Sequence, residues 1–242
     1  MKHIPFIVEQ HKGITVLRDD LCPGGSKARF LPYICAGQKE VVFGAPFCGG
    51  APVALSHIGK ELGFKVTIFY AKRKELYSYQ KVVRDNGAQI FEVPFGYMAN
   101  VQKKARDYAA EKGALFLPLG FDTPKAVEPF MAEIARFKRE QGSFDEVWCA
   151  TGSGMLARCL GEGFPEANII GVKVGLDSRN EAQKYPRNVT LVRYSKDFSF
   201  ATKAPVPFPS NPHYDAKAWE MLEKHRVGKL AGKRVLFWNV LY

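Results

Sequence analysis

Apolar runs rich in β-branched residues alternate with amphipathic stretches along most of this 242-residue chain, and that alternation limits the fold more than any other feature. VVFGAP at 41–46 is strand-like, and PVALSHIGKELG at 52–63 is helical, with Val53, Leu55, Ile58 and Leu62 near one face. KVTIFYA at 65–71 is the next strand, ELYSYQKVVRDNG at 75–87 a helix stopped by Gly87, and QIFEVP at 89–94 a further strand. A helix over 98–113, the strand ALFLPL, a helix over 124–141, the strand EVWCATG, a helix over 154–163 and the strand IIGVKV continue the series. Parallel strands need crossovers, and helices placed between strands supply them, so the pattern predicts an α/β fold with helices on both faces of parallel sheets. The pattern weakens after Ser178, where Pro205, Pro207, Pro209 and Pro212 make 198–212 an extended loop. The helix DAKAWEMLEKH and the strand RVLFWNV close the chain, and no internal repeat is present.

With 46% hydrophobic residues the chain can bury a substantial core, as one large domain or two smaller ones sharing a cleft, which excludes a disordered protein. No run reaches the roughly 18 apolar residues of a membrane span, and MKHIPFIVEQ is not a secretion signal, so a soluble cytoplasmic protein is expected. Cys22, Cys35, Cys48, Cys149 and Cys159 are widely spaced, without a CxxC pair or histidines at zinc-ligand spacing, and read as reduced, mostly buried thiols. No metal is expected. The net charge of +11 admits a polyanion such as nucleic acid as partner, and equally a solvated basic surface, since the positive residues are dispersed.

Two glycine turns carry the chemistry. WCATGSGMLARCL places Gly152 and Gly154 between a strand and a helix, where backbone N–H groups without intrahelical partners can hold a phosphate. Taken alone, such a turn equally uses glycine for its dihedral freedom, and it is neither GxGxxG nor a Walker loop. VLRDDLCPGGSKARFLPYI places Lys27 at the start of an apolar-periodic helix. A lysine held and partly buried there becomes an amine nucleophile toward an aldehyde; a solvated surface lysine is the alternative.

Together, in this order, the two segments resemble the pyridoxal 5'-phosphate (PLP) enzymes of the tryptophan synthase β group (fold type II), nearest to D-cysteine desulfhydrase and aminocyclopropane-carboxylate deaminase. RDDL at 18–21 and GGSKAR at 24–29 correspond to that family's R-E-D-L and G-G-N-K-x-R-K, so the resemblance makes Lys27 the Schiff-base lysine. The family's phosphate loop falls on Thr151, Gly152, Ser153, Gly154, Met155 and Leu156. YSYQKVVRDNGAQIFEVPFG, FDTPKAVEPFMAEIARF and NPHYDAKAWEML match further stretches, the last bringing in Tyr214 as either a second acid or a packed side chain. A shortened two-domain fold follows, with 38–118 as the smaller domain and 1–37 plus 119–242 as the larger, and a homodimer is the family's common state.

The departures bear on function. Where the family has serine and asparagine to hold the substrate carboxylate, this chain reads APFCGGAP, leaving Cys48, Gly49 and Gly50 as the substrate-side loop. Backbone N–H groups of Gly49 and Gly50 remain able to hold an anion, while Cys48 is either a site thiol or a packing residue. Met155 and Leu156 replace a glycine and a threonine, and Arg158 either compensates or faces solvent. The chain ends FWNVLY where the family has a hydroxyl beside the pyridine nitrogen, and Asn239 is the substitute.

The resemblance implies a lyase acting at the α carbon of an amino-acid unit, with Lys27 as proton carrier. Weaker holding of the carboxylate favours decarboxylation. Some viruses encode PLP enzymes that decarboxylate an amino acid attached to thymine in DNA, and a short, basic member of this fold suits that substrate, in host cytoplasm if viral. Elimination or deamination of a small free amino acid, and a catalytically silent nucleic-acid-binding descendant, are the other readings.

Overall fold

A computed structural model describes residues 3–47, 49–94, 96–174, 185–196, 198–226 and 232–241. In chain order its elements are β1 (Val8–His11), β2 (Ile14–Arg18), α1 (Leu31–Cys35), β3 (Glu40–Ala45), α2 (Gly50–Leu62), β4 (Lys65–Ala71), α3 (Ser78–Asp85) and β5 (Gln89–Val93). There follow α4 (Met98–Lys112), β6 (Leu115–Leu117), α5 (Pro124–Gln141), β7 (Glu146–Thr151), α6 (Met155–Gly163), β8 (Asn168–Lys173), β9 (Val189–Arg193), α7 (Asp215–Arg226) and β10 (Val235–Asn239). The chain divides into two compact units, Cys22–Ala126 and His3–Leu21 with Val127–Tyr242.

The first unit is built on a parallel sheet of order β5-β4-β3-β6. Side chains alternate between the faces of a strand. Val42, Phe69 and Val93 therefore pack with Val101, Ala105 and Ala109 of α4 on one side. On the other side α2 lies so close that a Cβ on Gly59 would sit 2.3 Å from Val66. Phe121 packs against both Phe30 and Phe43, with ring centroids 6.5 and 5.0 Å away. These contacts carry the unit's limits out to 22 and 126 from the expected 38 and 118, and the Lys27 segment lies in the smaller unit.

The second unit holds a sheet of order β1-β2-β10-β7-β8-β9. From β2 to β9 every pairing is parallel, whereas β1 and β2 form an antiparallel hairpin. Its two-residue turn has positive φ at both Lys12 (53°) and Gly13 (77°), the I′ geometry whose twist suits a hairpin. On one face Trp219 and Leu222 of α7 pack with Trp148, Phe208 and Phe237. On the other, Phe130 and Phe137 of α5 meet Trp238, whose indole N–H donates to buried Asp19 at 2.9 Å. Asn211 donates its backbone N–H to the Leu241 carbonyl, and Asp215 accepts the Leu241 N–H, both at 2.9 Å or less, so the start of α7 is fastened to the chain's last described residue.

Cys22, Cys35, Cys149 and Cys159 are buried thiols outside any disulfide, in keeping with the sequence reading, and burial pushes the thiols of Cys35 and Cys149 up to about 12. Among the described residues no helix is long and apolar enough to cross a membrane, and no cluster of potential metal ligands occurs.

The carboxyl end of α6 has an unusual cap. The Asn188 carboxamide donates to the carbonyls of Gly161, Phe164 and Ala167 at 3.1, 2.9 and 3.0 Å, tying β9 to the helix that follows the glycine turn. Asn188→Ala strands these carbonyls and is expected to lower stability by about 1–3 kcal/mol, read as a lower urea midpoint at unchanged m.

Candidate active site

In the first unit Gly24 and Gly25 both take φ of 79°, and the turn they make leads into a 3-10 helix over Gly25–Arg29. Lys27 therefore sits on a tight turn before the short α1, where the sequence pattern predicted the start of a longer helix. The turn is locked against α2: a Cβ on Gly24 would lie 2.3 Å from the Ala54 backbone nitrogen. Only glycine satisfies both the positive φ and this approach. Lys27 is half-buried while Ser26, Ala28 and Arg29 around it are buried, so its backbone is held firmly.

The helix that braces Lys27 also follows the two glycines expected on the substrate side. Gly49 (φ 136°) precedes α2 and Gly50 opens it, with Pro52 in its first turn. Gly49 and Gly50 have no side chains to offer, so any anion held there is held by backbone N–H groups at the start of a 13-residue helix. Cys48 lies outside the described residues.

In the second unit the turn 152–154 leaves the carboxyl end of β7, a central strand, and enters α6. Gly154 is left-handed (φ 92°) and caps the helix without a side chain. Among the described residues, no acceptor takes the N–H groups of Ser153, Gly154, Met155 or Leu156. Four unpaired donors converge where the dipole of α6 is positive, as an anion requires.

Two tyrosines border this turn. The Gly152 N–H donates to the Tyr214 hydroxyl at 3.0 Å. Burial first, then the charge of Asp215 and the neighbouring Cys149, raise the Tyr214 phenol well above its ordinary range, so it stays protonated. Because its oxygen accepts from Gly152, its own proton remains to be donated. Tyr185 lies against the far side of the turn: a Cβ on Gly154 would meet its ring carbon Cζ at 3.0 Å. Sequence reading missed Tyr185, which stands in a stretch without periodicity.

Other expected residues have mainly packing environments. Thr151 is buried, and its hydroxyl is directed at β8, where a Cβ on Gly171 would come within 2.7 Å of it. Met155 is buried and Leu156 half-buried, so at these positions the backbone, not the side chain, faces the anion cradle. Arg158 lies 3.7 Å from Glu162 along α6. Asn239, at the end of β10, is fully buried; it accepts from Ser210 and donates to the Pro209 carbonyl, both at 2.9 Å. It thereby anchors the proline-rich segment, and among the described residues its second amide N–H has no acceptor.

Each unit thus carries one feature that a phosphorylated aldehyde cofactor would need: a braced lysine on a glycine turn in the first, and a strand-to-helix turn whose N–H groups from Ser153 to Leu156 lack partners among the described residues in the second. Residues 3–226 match the family described as pyridoxal-phosphate dependent enzyme, and the chain belongs to that family. Its cofactor is PLP. Among curated relatives, a glycyl-dTMP PLP-dependent decarboxylase of Pseudomonas phage M6 is 23% identical, the match covering 94% of this chain and 93% of that one. Among solved structures, an ACC deaminase homologue aligns with a TM-score of 0.78 at 19% identity, over 93% of this chain and 83% of the other. Threonine deaminase isoform 2 from Solanum lycopersicum aligns with a TM-score of 0.76 at 15% identity, over 97% and 83%.

The cradle fits the cofactor's phosphate because the donors are unpaired and because side chains are absent where it must enter. Gly154→Ala forces a non-glycine residue to a φ of 92° and pushes a methyl group into Tyr185. The strained turn is expected to raise the PLP concentration that gives half-maximal yellow colour by about tenfold or more, checked by titrating apoprotein with PLP.

Proposed function

We propose that this chain is a PLP-dependent decarboxylase acting on an amino-acid unit attached to thymine in DNA. The carrying observation is the substrate-side loop: Gly49 and Gly50 lead into α2 without one side chain able to hold a carboxylate. A firmly hydrogen-bonded carboxylate is stabilised as an anion and resists departure as carbon dioxide; one held only by backbone groups at a helix start leaves more readily. The phage relative, whose name specifies a glycyl-dTMP decarboxylase, supports the same choice of bond and substrate.

In this reading Lys27 supplies the amine that holds the cofactor aldehyde, and the N–H groups of Ser153, Gly154, Met155 and Leu156, with Thr151 and Gly152 leading into them, form the phosphate loop. PLP, when bound, supplies an electron sink for the pair left on the α carbon. Lys27, released when the substrate amine takes its place, returns a proton to that carbon as the carboxylate leaves. The protonated Tyr214 hydroxyl, fixed above Gly152, donates to an anionic oxygen of substrate or phosphate. Asn239 is the proposed partner of the pyridine nitrogen, and Cys48, Gly49 and Gly50 are the proposed substrate-side residues. A homodimer, the family's common state, is the proposed assembly.

Deamination of a small free amino acid is the second reading, because the deaminase structures share this fold. Product analysis separates the two. Incubation with DNA whose thymine is linked to the α carbon of glycine, so that the amine and the carboxylate are both free, should release carbon dioxide and leave a primary amine on the base. Ammonia and a keto acid from a free amino acid, without carbon dioxide, would overturn the decarboxylase assignment.

A further inference from the structure

The strand ends of the first unit carry a surface that the reaction chemistry does not use. Since β3, β4 and β5 run parallel, the segments after them emerge along one edge. Phe47 follows β3, Lys72 to Tyr77 follow β4, and Tyr97 follows β5. These segments are joined: the Lys72 N–H donates to the Val93 carbonyl at 3.0 Å, and Gly96 packs so tightly that a Cβ there would lie 2.3 Å from that of Ala71. Arg73 lies over the Phe47 ring at 4.9 Å, and the Phe47 and Tyr77 ring centroids are 4.9 Å apart.

This edge combines cations and open aromatic faces. Lys72, Arg73 and Lys74 are all exposed, and none forms an ion pair with a described residue, although Glu75 adjoins them and Glu92 is exposed on β5. Lys65, Lys103 and Lys112 of the same unit are each paired with a carboxylate within 3.1 Å, whereas Lys72, Arg73 and Lys74 have no carboxylate partner among the described residues. Tyr97 is 83% exposed and Tyr77 44%, a cost in apolar surface that a merely solvated edge does not require.

We propose that this edge binds single-stranded DNA, with Lys72, Arg73 and Lys74 on the phosphates and Tyr77 and Tyr97 stacked on unpaired bases. Cations track the backbone and aromatic faces accept any base, whereas a duplex keeps its base faces covered and would leave both tyrosines idle. The inference rests on the reading that the substrate is carried on DNA. It adds that the protein grips unpaired nucleotides beside the reacting base, which must leave its stack to be reached.

The test uses holoprotein, a dye-labelled oligothymidylate and the same strand in a duplex, followed by fluorescence anisotropy across a salt series. Wild type should bind the single strand more tightly than the duplex. Replacing Lys72, Arg73 and Lys74 together by alanine should lower the slope of log K against log salt by about 2. Tyr77→Ala with Tyr97→Ala should weaken binding by about tenfold or more at unchanged slope. Both variants should keep the yellow cofactor colour and the turnover of glycyl-dTMP as a free mononucleotide. Unchanged single-strand affinity in both variants overturns the proposal, as does a drop in oligomer mass by light scattering without loss of affinity, which makes the edge a self-association surface. Lost affinity in a protein that turns over neither substrate leaves the DNA surface standing and removes the decarboxylase reading instead.

Discussion

The hydrogen bond from the Gly152 N–H to the Tyr214 hydroxyl connects the turn after a central strand to the start of the last helix, and most of the second unit is arranged to keep it. Tyr214 is placed by the Asn211 and Asp215 bonds to Leu241, which fix the start of α7 to the end of β10. Gly152 is placed by β7, flanked by β10 and β8. The bond satisfies one donor of the turn, while the next four N–H groups have no partner among the described residues, so the turn keeps donors for an anion.

Much of the fold was legible because periodicity reports burial directly. The strands and helices between 41 and 174 were readable to within a few residues, since each buries one stripe or one alternating face. The start of α3 at Ser78, three residues later than expected, follows from the Tyr77 N–H being taken by the Gln80 side chain at 2.9 Å. The hairpin of β1 and β2 was not legible: its turn uses Lys12 at positive φ, where sequence rules look for asparagine or aspartate. The edge strand β9 was missed because VTLVR, half-exposed, gives no clean apolar run.

The site was legible as motifs and illegible as geometry. Glycines flanking Lys27 and at 152–154 announce tight turns, and the structure adds why glycine is needed: Ala54 against one turn and Tyr185 against the other. Thr151 and Asn239 look like ligands in the sequence because hydroxyl and amide groups stand at strand ends. The structure adds what the sequence could not show: the Thr151 hydroxyl lies against β8, and the Asn239 amide is bonded to Ser210 and Pro209, contacts that depend on partners remote in the chain. Net charge likewise could not say where an anion would sit; the cations after β4 stand out because they lie beside the exposed Tyr77 and Tyr97 on the edge where the strands end.

The account depends on one amine among many. Reduction of the yellow holoprotein with borohydride, followed by proteolysis and mass mapping, locates the lysine that holds the cofactor. The expected result is a single pyridoxyl-bearing peptide containing Lys27. A label on fully buried Lys217, or on no lysine at all, would contradict the assignment of the glycine turn 24–25 as the place where the chemistry is anchored.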